Sequence, residues 1–214
     1  MGVLDPISEV LAVVLEYFMD LTGSYGIAII ILTIIVRGLT FPLMAKQMKS
    51  TSKMQELQPE IKKLQEKYKD DKETLNKKTM ELWKEHNVNP AAGCLPLLVQ
   101  MPVLIGMVRL LHEYQRFLGD IDPHFIGINL SQPDPIYILP ALAGVTTYLQ
   151  QRLTMKGQAN SAMMTMMPLI IVVISATLPA GLPLYFFVGN LFSLLAHLVW
   201  KRPNMQKQEG GAKS

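Results

Sequence analysis

Five long runs of apolar residues limit what this chain can fold into. They cover residues 23–44, 91–112, 135–151, 163–178 and 182–200. A helix crosses a bilayer core of about 30 Å with roughly 20 apolar residues, and about 17 is the lower limit. Only 17% of the 214 residues are charged, against about 25% in soluble domains. The pattern predicts an all-α polytopic membrane protein with five transmembrane helices.

The rest of the composition excludes other classes of protein. The single cysteine, Cys94, cannot form an internal disulfide, which argues against a disulfide-stabilised secreted domain. A hydrophobic content of 50% argues against a disordered chain. No Lys or Arg precedes the apolar residues of segment 1–22, which is therefore not typical of a signal peptide.

Segment 1–22 is predicted to be an extracytoplasmic amphipathic helix. Asp5 followed by Pro6 is typical of a helix start. At 100° per residue the acidic side chains of this segment share one face. These are Asp5, Glu9, Glu16 and Asp20. The helix either lies flat on a membrane surface with this face toward water, or packs against the other helices.

The positions of Lys and Arg predict the orientation of the spans. Segment 45–90 contains 11 Lys, whereas the predicted external loop 113–134 contains only Arg116. The predicted cytosolic loop 152–162 and tail 201–214 are again basic. Because short cytoplasmic loops carry an excess of Lys and Arg, we expect the N-terminus outside and the C-terminus in the cytoplasm.

Segment 45–90 is too polar to enter lipid and is predicted to form a cytosolic helical hairpin. Apolar residues such as Ile61 and Leu64 recur at helical spacing, and Asp70 and Asp71 indicate a turn between two helices. The hairpin either only joins two spans, or serves as a docking arm for lipid headgroups, a nascent chain or another protein.

Arg37 lies inside the first predicted span, and none of the five spans contains Asp or Glu. A buried Arg is costly in a bilayer unless a partner or water stabilises its charge. Arg37 therefore either extends its side chain to the inner surface or faces a water-filled cavity. Thr33 and Thr40 share its helix face, at i−4 and i+3 spacing.

Further polar residues lie in the middle or inner half of the other spans. Each of them alone is typical of an interhelical hydrogen bond. Together they predict a groove that is open toward the cytosol and closed toward the outside. The residues are Gln100, Thr146, Thr147, Gln150, Gln151, Asn190, Ser193 and His197.

The spans contain no arrangement of residues that indicates enzyme chemistry. Paired carboxylates, metal ligands and a Gly-rich phosphate loop are all missing from the pattern. We therefore expect no catalytic residue, no cofactor and no bound metal. A small-solute transporter or channel that uses the same polar cavity is the alternative, although internal repeats and intramembrane acids, typical of transporters, are not found.

Four segments of the chain resemble the YidC family of membrane protein insertases. They are 35–43 (IVRGLTFPL), 57–61 (LQPEI), 88–102 (VNPAAGCLPLLVQMP) and 178–190 (LPAGLPLYFFVGN). The resemblance implies a five-helix core with a cytosolic hairpin. It also implies that Arg37 lies in a hydrophilic groove, and that Thr33, Tyr185 and Phe186 lie near a passing client helix.

The same resemblance implies an insertase and chaperone in the plasma membrane of a bacterium, working without nucleotide hydrolysis. The implied partners are newly made membrane proteins with short acidic external tails and the lipid bilayer, with the ribosome and a protein-translocation channel as further candidates. Direct recognition of nucleic acid is not expected. A third hypothesis is a structural assembly factor in which Arg37 has no role in insertion.

Overall fold

A computed structural model of the chain describes residues 5–88, 95–119, 121–154 and 161–211. Predictions for residues between these ranges, such as Cys94, lie outside the described part. The described residues form helices and one small antiparallel hairpin. The elements are α1 (Asp5–Thr22), α2 (Tyr25–Glu56), α3 (Gln58–Lys67), α4 (Lys72–Glu85), α5 (Leu95–His112), α6 (Tyr114–Leu118), β1 (His124–Phe125), β2 (Ile128–Asn129), α7 (Ile138–Thr154), α8 (Ser161–Thr177) and α9 (Gly181–Gly211).

Each of the five predicted spans overlaps a helix in the described residues, namely α2, α5, α7, α8 and α9. Among the described residues, Tyr25–Glu56 and Gly181–Val199 are long and apolar enough to cross a membrane, and Met166–Thr177 is apolar but shorter. The predominantly helical fold is therefore confirmed, while the number of helices that cross the membrane stays a prediction.

Helix α2 continues well beyond residue 44, where the first span was predicted to end and the hairpin to begin. It runs unbroken to Glu56 and includes Pro42. Residues 45–56 contain neither Gly nor Pro, so nothing in the local sequence ends the helix. Hydropathy indicates where a helix leaves lipid, which is a different point from where the helix ends. In the same way α9 extends past residue 200 into the predicted tail.

Helices α3 and α4 pack against each other beyond the end of α2. The Asp71 side chain accepts a hydrogen bond from the Thr74 backbone N–H at 3.0 Å, which caps the start of α4. Hydrogen bonds from the side chain and the backbone of Thr74 hold the pKa of the Asp71 carboxyl below its usual value. A small apolar cluster joins the two helices to the end of α2. Its buried members are Leu57, Ile61 and Val88, with Met54, Leu82 and Trp83 packed against them.

The main apolar core lies at one end of the molecule. There the first half of α2, the second half of α5 and the start of α9 meet α1. By the predicted topology this end is the extracytoplasmic one. Its fully buried side chains include Leu15, Tyr25, Ile29, Leu32, Leu110, Leu111, Leu182 and Tyr185.

Helix α1 packs against α2 and α5. Leu11, Ala12 and Leu15 are buried in this contact, so α1 packs against other helices, which is the second of the two alternatives for segment 1–22. The outward side of α1 carries an acidic stripe beside an exposed apolar one. The apolar stripe consists of Val10, Val13, Tyr17 and Leu21. Contact of this side with a membrane surface stays a prediction.

The loop between α6 and α7 covers the same end of the molecule. Its strands β1 and β2 are joined at Ile126 and Gly127, both with positive φ, as a two-residue hairpin turn requires. The Phe125 ring packs directly on Gly26 of α2. The backbone N–H of Gly181 donates to the Leu130 carbonyl at 2.9 Å, which ties the loop to the start of α9.

Candidate functional site

The intramembrane arginine of α2 lies against α9. The two helices pack together, and the Arg37 guanidinium covers the bare Cα of Gly189. A Cβ atom built on Gly189 would lie 2.7 Å from Arg37 Nη2 and 2.8 Å from Nε. Because glycine has no side chain, the planar guanidinium approaches the backbone of α9 this closely.

Arg37 is half-buried, and no carboxylate within the described ranges forms an ion pair with it. Its Nε atom is buried and has no hydrogen-bond partner among the described residues. Tyr185 lies one turn before Gly189 and therefore shares the face of α9 that Arg37 covers. The site therefore presents a positive charge that the described part of the chain does not neutralise.

A side-chain hydrogen bond joins α5 to α9 beside the arginine. Gln100 Nε2 donates to the hydroxyl of Tyr185, whose ring is 1% exposed. The Phe186 ring meets the Tyr185 ring edge-on, with the ring centroids 5.9 Å apart. Gln100 and Tyr185 thus come together with Arg37 at the junction of α2, α5 and α9.

Asn190 points away from this junction and binds α7. Its Nδ2 donates to Thr147 Oγ1 at 2.8 Å and to Thr146 Oγ1 at 3.3 Å. The side chain is 6% exposed. Asn190 therefore serves as an interhelical hydrogen-bonding group between α7 and α9, which was one of the two alternatives that the sequence left open.

Three hydroxyl residues near the arginine satisfy their donors on their own helices. Thr33 Oγ1 donates to the Ile29 carbonyl at 2.7 Å, and Thr40 Oγ1 donates to the Val36 carbonyl at 2.9 Å. Ser193 Oγ donates to the Gly189 carbonyl at 2.9 Å. These hydroxyl groups can therefore only accept further hydrogen bonds, through their oxygen atoms.

The chain matches the family described as 60Kd inner membrane protein over residues 17–208. It is 43% identical to the membrane protein insertase MisCA of Bacillus subtilis (strain 168), over 97% of this chain and 82% of that protein. This chain belongs to the YidC family. The resemblance of the four sequence segments is thereby confirmed.

Other YidC proteins are similar over most of the chain. The membrane protein insertase YidC of Fusobacterium nucleatum subsp. nucleatum is 41% identical over 88% of this chain and 92% of that protein. A crystal structure of an active YidC insertase with its first transmembrane domain resolved superposes with a TM-score of 0.68 and 28% identity. That match covers 91% of this chain and 46% of the solved chain. These relatives are named as insertases and not as enzymes.

Two predicted site residues lie apart from the contacts described above. Gln150 is half-buried near the end of α7, and His197 is half-buried on α9, two turns beyond Gly189. The His197 Nδ1 atom is buried without a hydrogen-bond partner among the described residues. The structure thus groups Arg37, Gln100 and Tyr185, and it places Gln150 and His197 further along their helices.

Sequence reasoning missed two residues. Gly189 is one of them, because contact between α2 and α9 is not visible in a single sequence. The other is Arg109, a second cation within the predicted spans, which lies 3.4 Å from the Glu113 carboxylate. The i, i+4 spacing could have indicated this pair. A hydrogen bond from Arg116 and the nearby Arg109 hold the pKa of Glu113 below its usual value.

Proposed function

We propose that this chain is a membrane protein insertase that accepts clients through an inward-open polar groove beside Arg37. The observation that carries the proposal is the state of Arg37, half-buried against α9 without an ion pair in the described part of the chain. The insertase names of its YidC relatives support the same function.

We further propose that α2, α5, α7, α8 and α9 all cross the bacterial plasma membrane, with α1 outside and the C-terminus in the cytoplasm. The Lys-rich hairpin supports this orientation. The apolar core then lies at the outer end, so that water reaching Arg37 enters from the cytosol.

In the proposed mechanism Arg37 attracts the acidic external tail of a client. The groove shortens the hydrocarbon path that the tail must cross, and the apolar segment of the client then partitions into lipid beside α2, α5 and α9. Burial of apolar surface supplies free energy, and the membrane potential pulls negative charges outward. No nucleotide is needed for these steps.

The cytosolic helices α3 and α4 are proposed to meet lipid headgroups or the nascent client. Most of their Lys residues are exposed, and such residues attract anionic lipid. The ribosome and a translocation channel are further proposed partners on this side.

Purified protein in liposomes tests the proposal. A single-span client with a short acidic tail should insert without ATP, and its tail should become protected from external protease. Flux of ions or small solutes without client insertion would instead identify a transporter or channel.

Thiol labelling tests the direction of the groove. Arg37→Cys in a Cys94→Ala background should react with a membrane-impermeant reagent added from the cytosolic side. Labelling only from the outside, or no labelling from either side in a protein that inserts clients, would contradict the inward-open groove.

A further inference from the structure

Gly189 has no conformational reason to be glycine. Its backbone is helical, whereas Gly23, Gly119 and Gly127 have positive φ angles that favour glycine. Within a helix glycine is less favourable than alanine. The reason is therefore expected to be steric, and the group that fills the missing side-chain space is the guanidinium of Arg37.

An added methyl group would have different consequences at the other helical glycines. At Gly144 it would meet the short side chain of Val172, which helix packing holds in place. At Gly38, directly after Arg37, it would meet nothing within 4 Å. At Gly189 it meets the end of a long flexible side chain. The arginine can therefore move away while the helices keep their places.

We propose that Gly189 is a positioning residue for Arg37. The glycine lets the guanidinium lie flat on α9, beside Tyr185, and so holds the charge at one depth and direction in the groove. The inference rests on the proposed function, because its consequence is the preference for clients with acidic tails. It predicts that Gly189→Ala leaves the fold intact but weakens that preference.

Proteoliposome insertion of two matched clients tests this inference. One client has a neutral tail, and the other has a tail rich in aspartate. The measured quantity is the ratio of acidic-tail insertion to neutral-tail insertion. Gly189→Ala should lower this ratio about fivefold, which corresponds to the free-energy cost of overpacking by one methyl group. The matched control Gly38→Ala gains the same helix propensity and should change this ratio by less than about twofold, as for a surface substitution.

An Arg37→Lys background distinguishes a role of Gly189 in positioning the guanidinium from a role in the spacing of α2 and α9. Lys has a narrow ammonium in place of the planar guanidinium and avoids the added methyl group more easily. In an Arg37→Lys background, Gly189→Ala should therefore change the ratio by less than about twofold. An unchanged ratio in the Arg37 background, or equal losses in both backgrounds, would overturn the proposal.

Thermal unfolding in detergent covers the case in which Gly189→Ala destabilises the protein. If the methyl group clashes with Arg37, the double variant with Arg37→Ala should regain the lost stability, and failure to regain it would overturn the proposal.

The single variant Arg37→Ala separates this inference from the proposed function. If that variant leaves the ratio unchanged, the charge-attraction step itself fails. If it changes the ratio while Gly189→Ala does not, only the positioning role fails.

Discussion

Replacing Arg37 by alanine removes the one charge that the proposed mechanism uses to attract a client tail. Arg37 lies twelve residues after Tyr25, the start of α2, and a rise of 1.5 Å per residue places it about 18 Å along the helix. With Tyr25 at the outer surface, as proposed, this position is past the midplane of a hydrocarbon core of about 30 Å, in the inner half. A client tail must pass this depth before its charges reach the outside.

The expected attraction between Arg37 and a carboxylate of the client tail follows from Coulomb's law. A carboxylate about 6 Å from the guanidinium gains about 3 kcal/mol at an effective dielectric constant near 20. Arg37 is only half-buried, and screening by the water of an open groove reduces this gain to about half. About 1.4 kcal/mol corresponds to a factor of ten. We therefore expect Arg37→Ala to lower insertion of an acidic-tailed client about tenfold relative to a neutral-tailed one.

The assay is protease protection of client tails in proteoliposomes without ATP. Arg37→Lys keeps the charge and should retain most of the preference for acidic tails. Lys46→Ala is the matched control, since it removes a positive charge from an exposed site on the same helix. Equal loss for both clients in Arg37→Ala would indicate a structural role. The same loss in Lys46→Ala would indicate a general surface charge effect. Either result would refute the reasoning.

The other predictions concern contacts that hold the site and the outer end in place. Asn190→Ala should lower the free energy of unfolding by about 1 kcal/mol, the scale of interhelical hydrogen bonds in membrane proteins, and a double-mutant cycle with Thr147→Val should show coupling. Gly26→Ala should cost about 1–3 kcal/mol through overpacking, and Phe125→Ala in the same chain should remove most of this cost in thermal unfolding. Because the folded-state pKa of Glu113 is lowered, its ion pairs should stabilise the protein at neutral pH and lose this effect as the pH falls through that lowered pKa. Glu113→Gln should therefore narrow the difference in melting temperature between pH 7 and pH 3, and added salt should weaken the effect.

The helices could be predicted from the sequence because their signals are local. Apolar runs and turn residues located α2, α5, α7, α8 and α9, and the acidic pair at residues 70–71 located the turn before α4. The far end of α2 could not be located from hydropathy, because the helix continues beyond the predicted end of the span. Lipid contact and helix propensity are separate properties, and the polar residues up to Glu56 favour the helix without favouring lipid.

The site could be predicted in part. Arg37 and Gln100 were singled out as polar residues within apolar spans, and Tyr185 was singled out by the family resemblance. The structure brings all three together. Their partners could not be predicted, because a single sequence does not specify which helix faces meet. Asn190 shares a stripe with Ser193 in sequence, yet it bonds to α7, since α9 packs against more than one neighbour.

The lack of an acidic partner for Arg37 in the described part of the chain is a requirement of the proposed mechanism. An internal carboxylate would stabilise the guanidinium, but a client tail would then have to displace it before gaining any attraction. The free energy that the client gains from Arg37 would then be smaller by the free energy of the internal ion pair. Contact with Gly189 places the arginine against α9 without neutralising it. In the proposed mechanism the free-energy cost of this half-buried charge therefore remains until the acidic tail of a client relieves it.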